Sequence, residues 1–266
     1  MTGNSSVPNP PPSAPSPNGP NGGENGWENK RENERKYQAI VGSLLHISRN
    51  TRPDISVVTN ILGRKASSPS ARNFIAALRV LQYLLYTKSV KFSIKGSVEA
   101  RGVEKAQIEV YADASYGGEG ARSQTGVITF LEKTPVLWYT RRQDTVSLSI
   151  TEAEYIAVSE GAKDAAWLRQ WLSEFEIKVI PVICTDNEAA DRLTDTQSYH
   201  RRTRHIDHKY HYIRQEIRKE DIIMKKIGGK ENLANPLTKI VSLELLRQWT
   251  KNIGMKVVND SELGSV

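Results

Sequence analysis

Three acidic residues fall where a strand ends or a helix begins. They are Asp113 in Tyr111-Ala112-Asp113, Glu154 in Thr151-Glu152-Ala153-Glu154-Tyr155, and Asp186 in Thr185-Asp186-Asn187. In an α/β sheet the strand ends gather along one edge, where such proteins place their sites. Carboxylates brought together in one cleft repel, so clustering makes chemical sense when divalent cations sit among them. Hard oxygen ligands select Mg2+ or Mn2+. A pair of such ions roughly 4 Å apart activates a water and stabilises the leaving oxygen in phosphodiester cleavage. Spacing alone leaves open an ordinary alternative, in which each acid is a helix cap or a solvated surface residue.

The hydropathy pattern supplies a frame for these acids. A period of two marks a strand through Ile108 and Val110 to Asp113, a second over Gly126 to Leu131 and a third over Val136 to Thr140. Short loops between them predict an antiparallel meander. A period of 3.6 then predicts a long helix, or two, from about Ser149 to Phe175. The apolar run Val179 to Cys184 reads as a buried strand leading to Asp186 and a short helix through Ala189, Ala190 and Leu193, the pattern of an α/β fold. Ile222 to Ile227 is the last expected strand, Gly228-Gly229 a turn, and Leu233 to about Ile253 terminal helix.

Upstream, Tyr37 to Tyr86 carries apolar residues at helical spacing, and three helices are expected there. Asp54 would cap the second, and the third would present Phe74, Leu78, Leu81 and Leu85 as one stripe. Seven of the twelve prolines precede residue 21, and a tail of Pro, Asn, Gly and Ser cannot offset its own ordering entropy. The expected organisation is a disordered tail over 1–35, a helical segment over 36–100, an α/β domain over 101–255 and a loose tail over 256–266.

The 266 residues are 38% hydrophobic, enough for a core in part of the chain, and carry 37 Lys and Arg against 30 Asp and Glu. The resulting +7 favours a polyanionic partner without defining one. The single cysteine, Cys184, excludes an intramolecular disulfide framework. No apolar run approaches the roughly 20 residues of a membrane span, and the start lacks the features of a secretory signal. The expectation is a soluble, intracellular chain, cytoplasmic or nuclear, with no membrane partner.

Several motifs, in order, resemble the ribonuclease H domain of copia/Ty1-type retrotransposon polyproteins. They are Tyr111-Ala112-Asp113, Arg122-Ser123-Gln124-Thr125-Gly126, Trp138, Ser149 to Tyr155, and Thr185-Asp186-Asn187. The match continues through Arg204-His205-Ile206-Asp207, Tyr210-His211 and Asn235-Pro236-Leu237-Thr238-Lys239. Upstream, Tyr37 to Leu45, Thr51-Arg52-Pro53-Asp54 and Leu81-Gln82-Tyr83-Leu84 are similar to the tail of the adjoining reverse transcriptase, so an intact reverse transcriptase is an expected partner. The resemblance implies a ribonuclease H-like fold, a mixed five-stranded sheet with flanking helices. It also implies hydrolysis of the RNA strand of an RNA–DNA hybrid by two Mg2+ ions, with Mn2+ as an alternative, held by four acids. On it, Asp113 would bridge both ions, Glu154 would hold one and help to position the water, and Asp186 would orient the nucleophile. Glu152 is the rival to Glu154, which is preferred because Tyr-Ile-Ala follows it; Glu152 is then a solvent-facing or secondary acid.

The fourth position departs from the family pattern, because Asn235 stands where the family carries Asp. Asn keeps a carbonyl oxygen but loses the charge, so the site should hold its second ion less tightly. Asp207 is a substitute to be weighed, although its His-Ile-Asp context belongs to another motif. The loop Gly228-Gly229-Lys230 also lacks the His that cellular ribonucleases H often place there. The chain has no Asp-Asp polymerase motif, so its upstream helices are expected to act as scaffold rather than to synthesise DNA.

The most basic stretch, residues 200–219, holds seven Arg or Lys against two acids and four of the five histidines. Arg201, Arg202, Arg204 and Lys209 are candidates for phosphate contact, and Arg141 with Arg142 would extend the same groove toward a hybrid. His205, His208 and His211 lie at i, i+3 spacing, a zinc pattern without the soft ligands of a structural site, so packing or helix-face roles are preferred.

Overall fold

The computed structural model describes residues 30–92, 106–118, 120–187, 213, 215–217, 219 and 221–258. The chain divides into two compact units, one comprising residues 1–92 and 255–266 and the other residues 93–254.

The first unit contains α1 (Lys30–Asn50), α2 (Ser56–Gly63) and α3 (Ala71–Tyr86). Helix α1 starts inside the charged patch expected to be a loose tail, where Glu32 and Lys36 pair at i, i+4 spacing. Tyr37, Val41, Leu44, Ile55, Leu62, Ala77 and Val80 form its core. The stripe expected on α3 is rotated. Ala77 and Val80 are its buried residues, Phe74 and Leu81 of the expected stripe pack partly buried against the same core, and Leu78 and Leu85 are exposed.

Asp54 does not cap α2, whose N-cap is Ile55 without a side-chain cap. It is buried instead against Arg52, which gives it two hydrogen bonds of 2.9 and 2.6 Å, and it accepts a third from Tyr83 Oη at 2.7 Å. A buried pair holds only when its remaining hydrogen-bonding groups are met, and Thr87 Oγ1 and the Thr87 carbonyl meet the guanidinium. A short antiparallel pair, β1 (Val90–Phe92) with β7 (Met255–Val257), completes this unit. Lys256 and Val257 are thus strand residues rather than part of a loose tail.

The second unit is built on a five-stranded sheet of order β4-β3-β2-β5-β6. Strands β2 (Ile108–Ser115), β3 (Gln124–Leu131) and β4 (Thr134–Arg142) form the expected antiparallel meander. Strands β5 (Val182–Thr185) and β6 (Ile223–Lys226) add to the other side of β2, both parallel. One unbroken helix, α4 (Ile150–Ser173), makes the crossover between β4 and β5. Gly161 lets α4 seat closely, since a Cβ there would lie 3.0 Å from Val110 Cγ1 and 3.6 Å from Ala112 Cβ. The core gathers Ile108, Val110, Ala112, Val127, Tyr155, Val158, Leu168 and Ile183, with Ile213 and Ile222 closing it.

The terminal helix is shorter than expected. Pro236 confines Asn235–Leu237 to one 3-10 turn, and the α-helix proper is α5 (Leu243–Asn252), capped by Ser242. Among the described residues no helix is long and apolar enough to cross a membrane.

Candidate active site

Alternation along β2 sends Val110 and Ala112 toward α4 and Tyr111 and Asp113 to the opposite face. Asp113 is 6% exposed. The next backbone N–H, that of Ala114, donates to Glu154 Oε2 at 3.2 Å, which joins the end of β2 to the second turn of α4.

The start of α4 is fixed from two sides. Ser149 caps the helix, accepting from the Glu152 N–H at 3.1 Å, while Glu152 Oε2 accepts from the Leu148 N–H at 2.7 Å. Glu152 is therefore a buried capping residue, not a solvent-facing acid, which leaves Glu154 as the acid beside Asp113. Gln143 supplies the second anchor. Its Nε2 donates to Thr125 Oγ1 at 3.0 Å and to the Ala153 carbonyl at 2.9 Å, and its Oε1 accepts from Ser147 at 2.6 Å.

Asp186 follows β5, and its Oδ1 accepts from Asn232 Nδ2 at 2.9 Å. Asn235 arrives on the 3-10 turn, which rests against Gly126, the β3 residue paired with Asp113. A Cβ at Gly126 would lie 2.8 Å from Leu237 Cβ and 2.9 Å from both the Ala234 carbonyl and Thr238 Cγ2. Thr140 Oγ1 on β4 donates to the Leu237 carbonyl at 2.7 Å and ties the turn down. Thr238 Oγ1 then lies 2.7 Å from Asp113 Oδ2 and 2.8 Å from the Asn235 carbonyl. A hydroxyl has one proton for these two acceptors. Ionised Asp113 draws that proton, whereas protonated Asp113 donates to Thr238 and frees it for Asn235.

Burial, chiefly, lifts the Glu154 carboxyl to about 8, and the charges of Asp113 and Asp186 add to it. Burial lifts Asp113 to about 6, opposed by the Thr238 hydrogen bond and reinforced by Asp186. Lys239 lowers both. Three carboxylates in one another's field are the electrostatic condition under which a divalent cation is favoured. The Asn235 Oδ1 is buried with no hydrogen-bond partner among the described residues, a free hard oxygen. Among the described residues, however, no group of three or more His, Cys, Asp and Glu side chains is arranged to hold a metal ion. The donor chemistry thus fits Mg2+ or Mn2+, while the carboxylates stand as neighbours rather than as a closed ligand cage.

The two arginines expected to share one groove sit on adjacent strand positions and so point to opposite faces. Arg141 pairs with Glu160 of α4 at 3.6 Å and lies over the Tyr139 ring, whereas Arg142 shares the face of Thr140 and Asp113. Arg201, Arg202, Arg204, Lys209, Asp207 and the histidines at 200, 205, 208 and 211 lie outside the described residues, as does the short helix expected through Ala189. Sequence reasoning gave no role to Thr238, Asn232 or Gln143. For Thr238 a signal existed, since a turn over Asn235-Pro236-Leu237 brings the residue three places on back to the same spot.

A meander of three antiparallel strands, extended on its first strand by two parallel ones with a helical crossover, defines a ribonuclease H-like fold. No protein-family model matches the chain. It is 33% identical over 223 residues to the retrovirus-related Pol polyprotein from transposon TNT 1-94 of Nicotiana tabacum, covering 82% of this chain and 16% of that protein. It is 30% identical over 230 residues to the corresponding polyprotein from transposon RE1 of Arabidopsis thaliana, covering 85% of this chain and 15% of that protein. Among solved structures, LC11-RNase H1 in complex with RNA/DNA hybrid is similar at 17% identity, over 49% of this chain and 92% of that chain, with a TM-score of 0.39. Over most of its length the chain is thus similar to retrovirus-related Pol polyproteins of copia-type transposons, and it spans about one sixth of the length of these two relatives.

Proposed function

We propose that this chain is the ribonuclease H segment of such a polyprotein, a divalent-cation-dependent hydrolase acting on the RNA strand of an RNA–DNA hybrid. The observation that carries the reading is the pairing of two buried acids, Asp113 and Glu154, at the end of β2, with Asp186 and the Asn235 turn beside them. Asp113, Glu154 and Asp186 would hold Mg2+ or Mn2+, with Asn235 as a neutral oxygen ligand. Bound there, the cations supply an activated water and charge neutralisation at the scissile phosphate. Glu154, held by the Ala114 N–H, faces the site as a carboxyl able to keep a proton near neutral pH. Thr238 fixes the Asp113 oxygen that it touches, and Gln143 fixes the helix start that carries Glu154. Arg142, on the same face as Asp113, would meet a backbone phosphate, and Arg201, Arg202, Arg204 and Lys209, outside the described residues, would add charge for further phosphate contact. Residues 36–100 would be the end of a reverse transcriptase, and an intact reverse transcriptase would be the protein partner.

One observation favours a second reading, a hybrid-binding protein without cleavage. Asn235 supplies no charge at the fourth position, so a second cation is held less tightly. A labelled RNA–DNA hybrid incubated with the protein in Mg2+ and in Mn2+, beside Asp113→Asn, separates the two. Cleavage by the natural chain and not by the variant supports the enzyme. Binding without cleavage, with cleavage gained in Asn235→Asp, supports the second reading, and cleavage unaffected by Asp113→Asn refutes the site.

A further inference from the structure

Strands β2 and β5 part company at the candidate site. Their ladder runs Glu109↔Val182, Val110↔Ile183 and Tyr111↔Cys184 and ends there, although β5 stays paired with β6 as far as Thr185↔Lys226. Among the described residues the next carbonyl on β2, that of Ala112, has no β5 partner to accept from, and a buried carbonyl left unmet costs about as much as a lost hydrogen bond. Asn232 meets it, with Nδ2 donating to Ala112 O at 3.0 Å. The second proton of the same amide goes to Asp186 Oδ1 at 2.9 Å, and Asn232 Oδ1 accepts from the Ala234 N–H at 3.0 Å. Every polar group of a side chain only 3% exposed is thus used. On the other side of the carboxylate, the bare backbone of Gly229 lies so close that a Cβ there would sit 3.0 Å from Asp186 Oδ2.

We propose that Asn232 is the positioning residue for Asp186. Its side-chain amide stands in for the missing rung of the β2–β5 ladder, so the strands diverge by a fixed amount, and its second N–H sets the carboxylate orientation in that gap. Gly229 completes the setting by leaving Asp186 room on its far side. This inference rests on the reading of Asp186 as a cation ligand. The chemistry selects Asn over its near neighbours. Asp at 232 would turn two donors into acceptors facing a carbonyl and a carboxylate, and Leu would leave both unmet. A partner that orients a ligating carboxylate governs cation affinity nearly as strongly as the ligand does.

The test is a double-mutant cycle in the full chain, with Mn2+ binding by calorimetry, hybrid cleavage kinetics and thermal unfolding read together for Asn232→Ala, Asp186→Ala and the double variant. Gly229→Ala, at an exposed turn, is the second probe should Asn232→Ala fold poorly. The expected result is that Asn232→Ala and Gly229→Ala each raise the Mn2+ dissociation constant by about tenfold or more. KM for the hybrid should be little changed, and the double variant no worse than Asp186→Ala alone. A lowered Tm with unchanged Mn2+ affinity, or effects of Asn232→Ala and Asp186→Ala that multiply independently, would overturn the proposal. If the natural chain neither binds Mn2+ nor cleaves, the proposed function fails, and the clamp is then judged by proton exchange at Asn232 Nδ2. Exchange that is slow in the natural chain and fast in Asp186→Ala supports it; exchange equal in both overturns it.

Discussion

Gly126→Ala tests how the site is assembled without touching any acid. A Cβ at this position would meet Leu237 Cβ at 2.8 Å and the Ala234 carbonyl and Thr238 Cγ2 at 2.9 Å. Ordinary contact begins at about 3.5 Å, so the turn must retreat from β3 by roughly 0.6 Å or more. No flexible side-chain tip can absorb this, because the contacts are a backbone oxygen and atoms at or next to Cβ. The retreat works against the Thr140 hydrogen bond to Leu237 and lengthens the 2.7 Å contact between Thr238 and Asp113. Overpacking of this kind costs about 1–3 kcal/mol. At about 2–4 °C per kcal/mol, Tm should fall by roughly 2–12 °C. Catalysis should suffer more than stability, since misplacement on the 1 Å scale costs up to about 100-fold. The assay is hybrid cleavage at saturating Mn2+ and well below Tm, beside Gly161→Ala. In that control the 3.0 Å approach to Val110 Cγ1 works against the gain in helix propensity, and the acids stay in place. A Gly126→Ala protein that unfolds earlier yet cleaves at the natural rate refutes the claim that this glycine seats the turn.

Both Asp113 and Glu154 titrate above their ordinary values, so the metal-free native state holds more protons than the unfolded chain between about pH 4 and about 8. Their contribution to stability is therefore fully present at low pH, lost from Asp113 as pH rises through about 6 and from Glu154 through about 8. Thermal unfolding in chelator should show Tm falling across that window, less so in Glu154→Gln, and Mn2+ should restore the loss; a flat profile would count against the buried pair. Gln143→Ala strands the Ala153 carbonyl, Thr125 Oγ1 and Ser147, and should cost about 1–3 kcal/mol in urea unfolding. In the first unit, Arg52→Ala leaves Asp54 buried and uncompensated, for a loss of about 3–5 kcal/mol, while Tyr83→Phe removes one hydrogen bond and about 1 kcal/mol. Equal losses for these two variants would show that the ion pair is not the centre of that network.

The acids were legible because their signals are local. Alternation in β2 and a helix period through α4 place Asp113 and Glu154 without any knowledge of the rest of the chain. The β5 assignment drew Asp186 in by the same logic. What escaped depends on contacts distant in sequence: Thr238 reaches Asp113 across 125 residues, Asn232 reaches Ala112 across 120, and Thr140 reaches Leu237 across 97. No pattern within a window reveals such pairs. Two local misreadings have local causes. Glu152 looks like a free surface acid until its i−4 reach to the Leu148 N–H is seen, and Asp54 after a proline looks like a cap until the buried guanidinium two residues earlier claims it. On α3 the periodicity finds Phe74 and Leu81, which pack on the core, but not the face centred on Ala77 and Val80, because the size of an apolar residue does not say which side of a helix is covered.

The pairing of Val90–Phe92 with Met255–Val257 sets an order of events for folding. The partners are separated by the whole of residues 93–254, and a pair of three residues gains little to offset the loop entropy of closing so long a span. Once those residues have folded, the span is short and the strands meet cheaply. The clasp is thus expected to close after the residues between its halves, and its amide exchange should report on the integrity of what lies between them; exchange that stays slow when the second unit is unfolded would refute this.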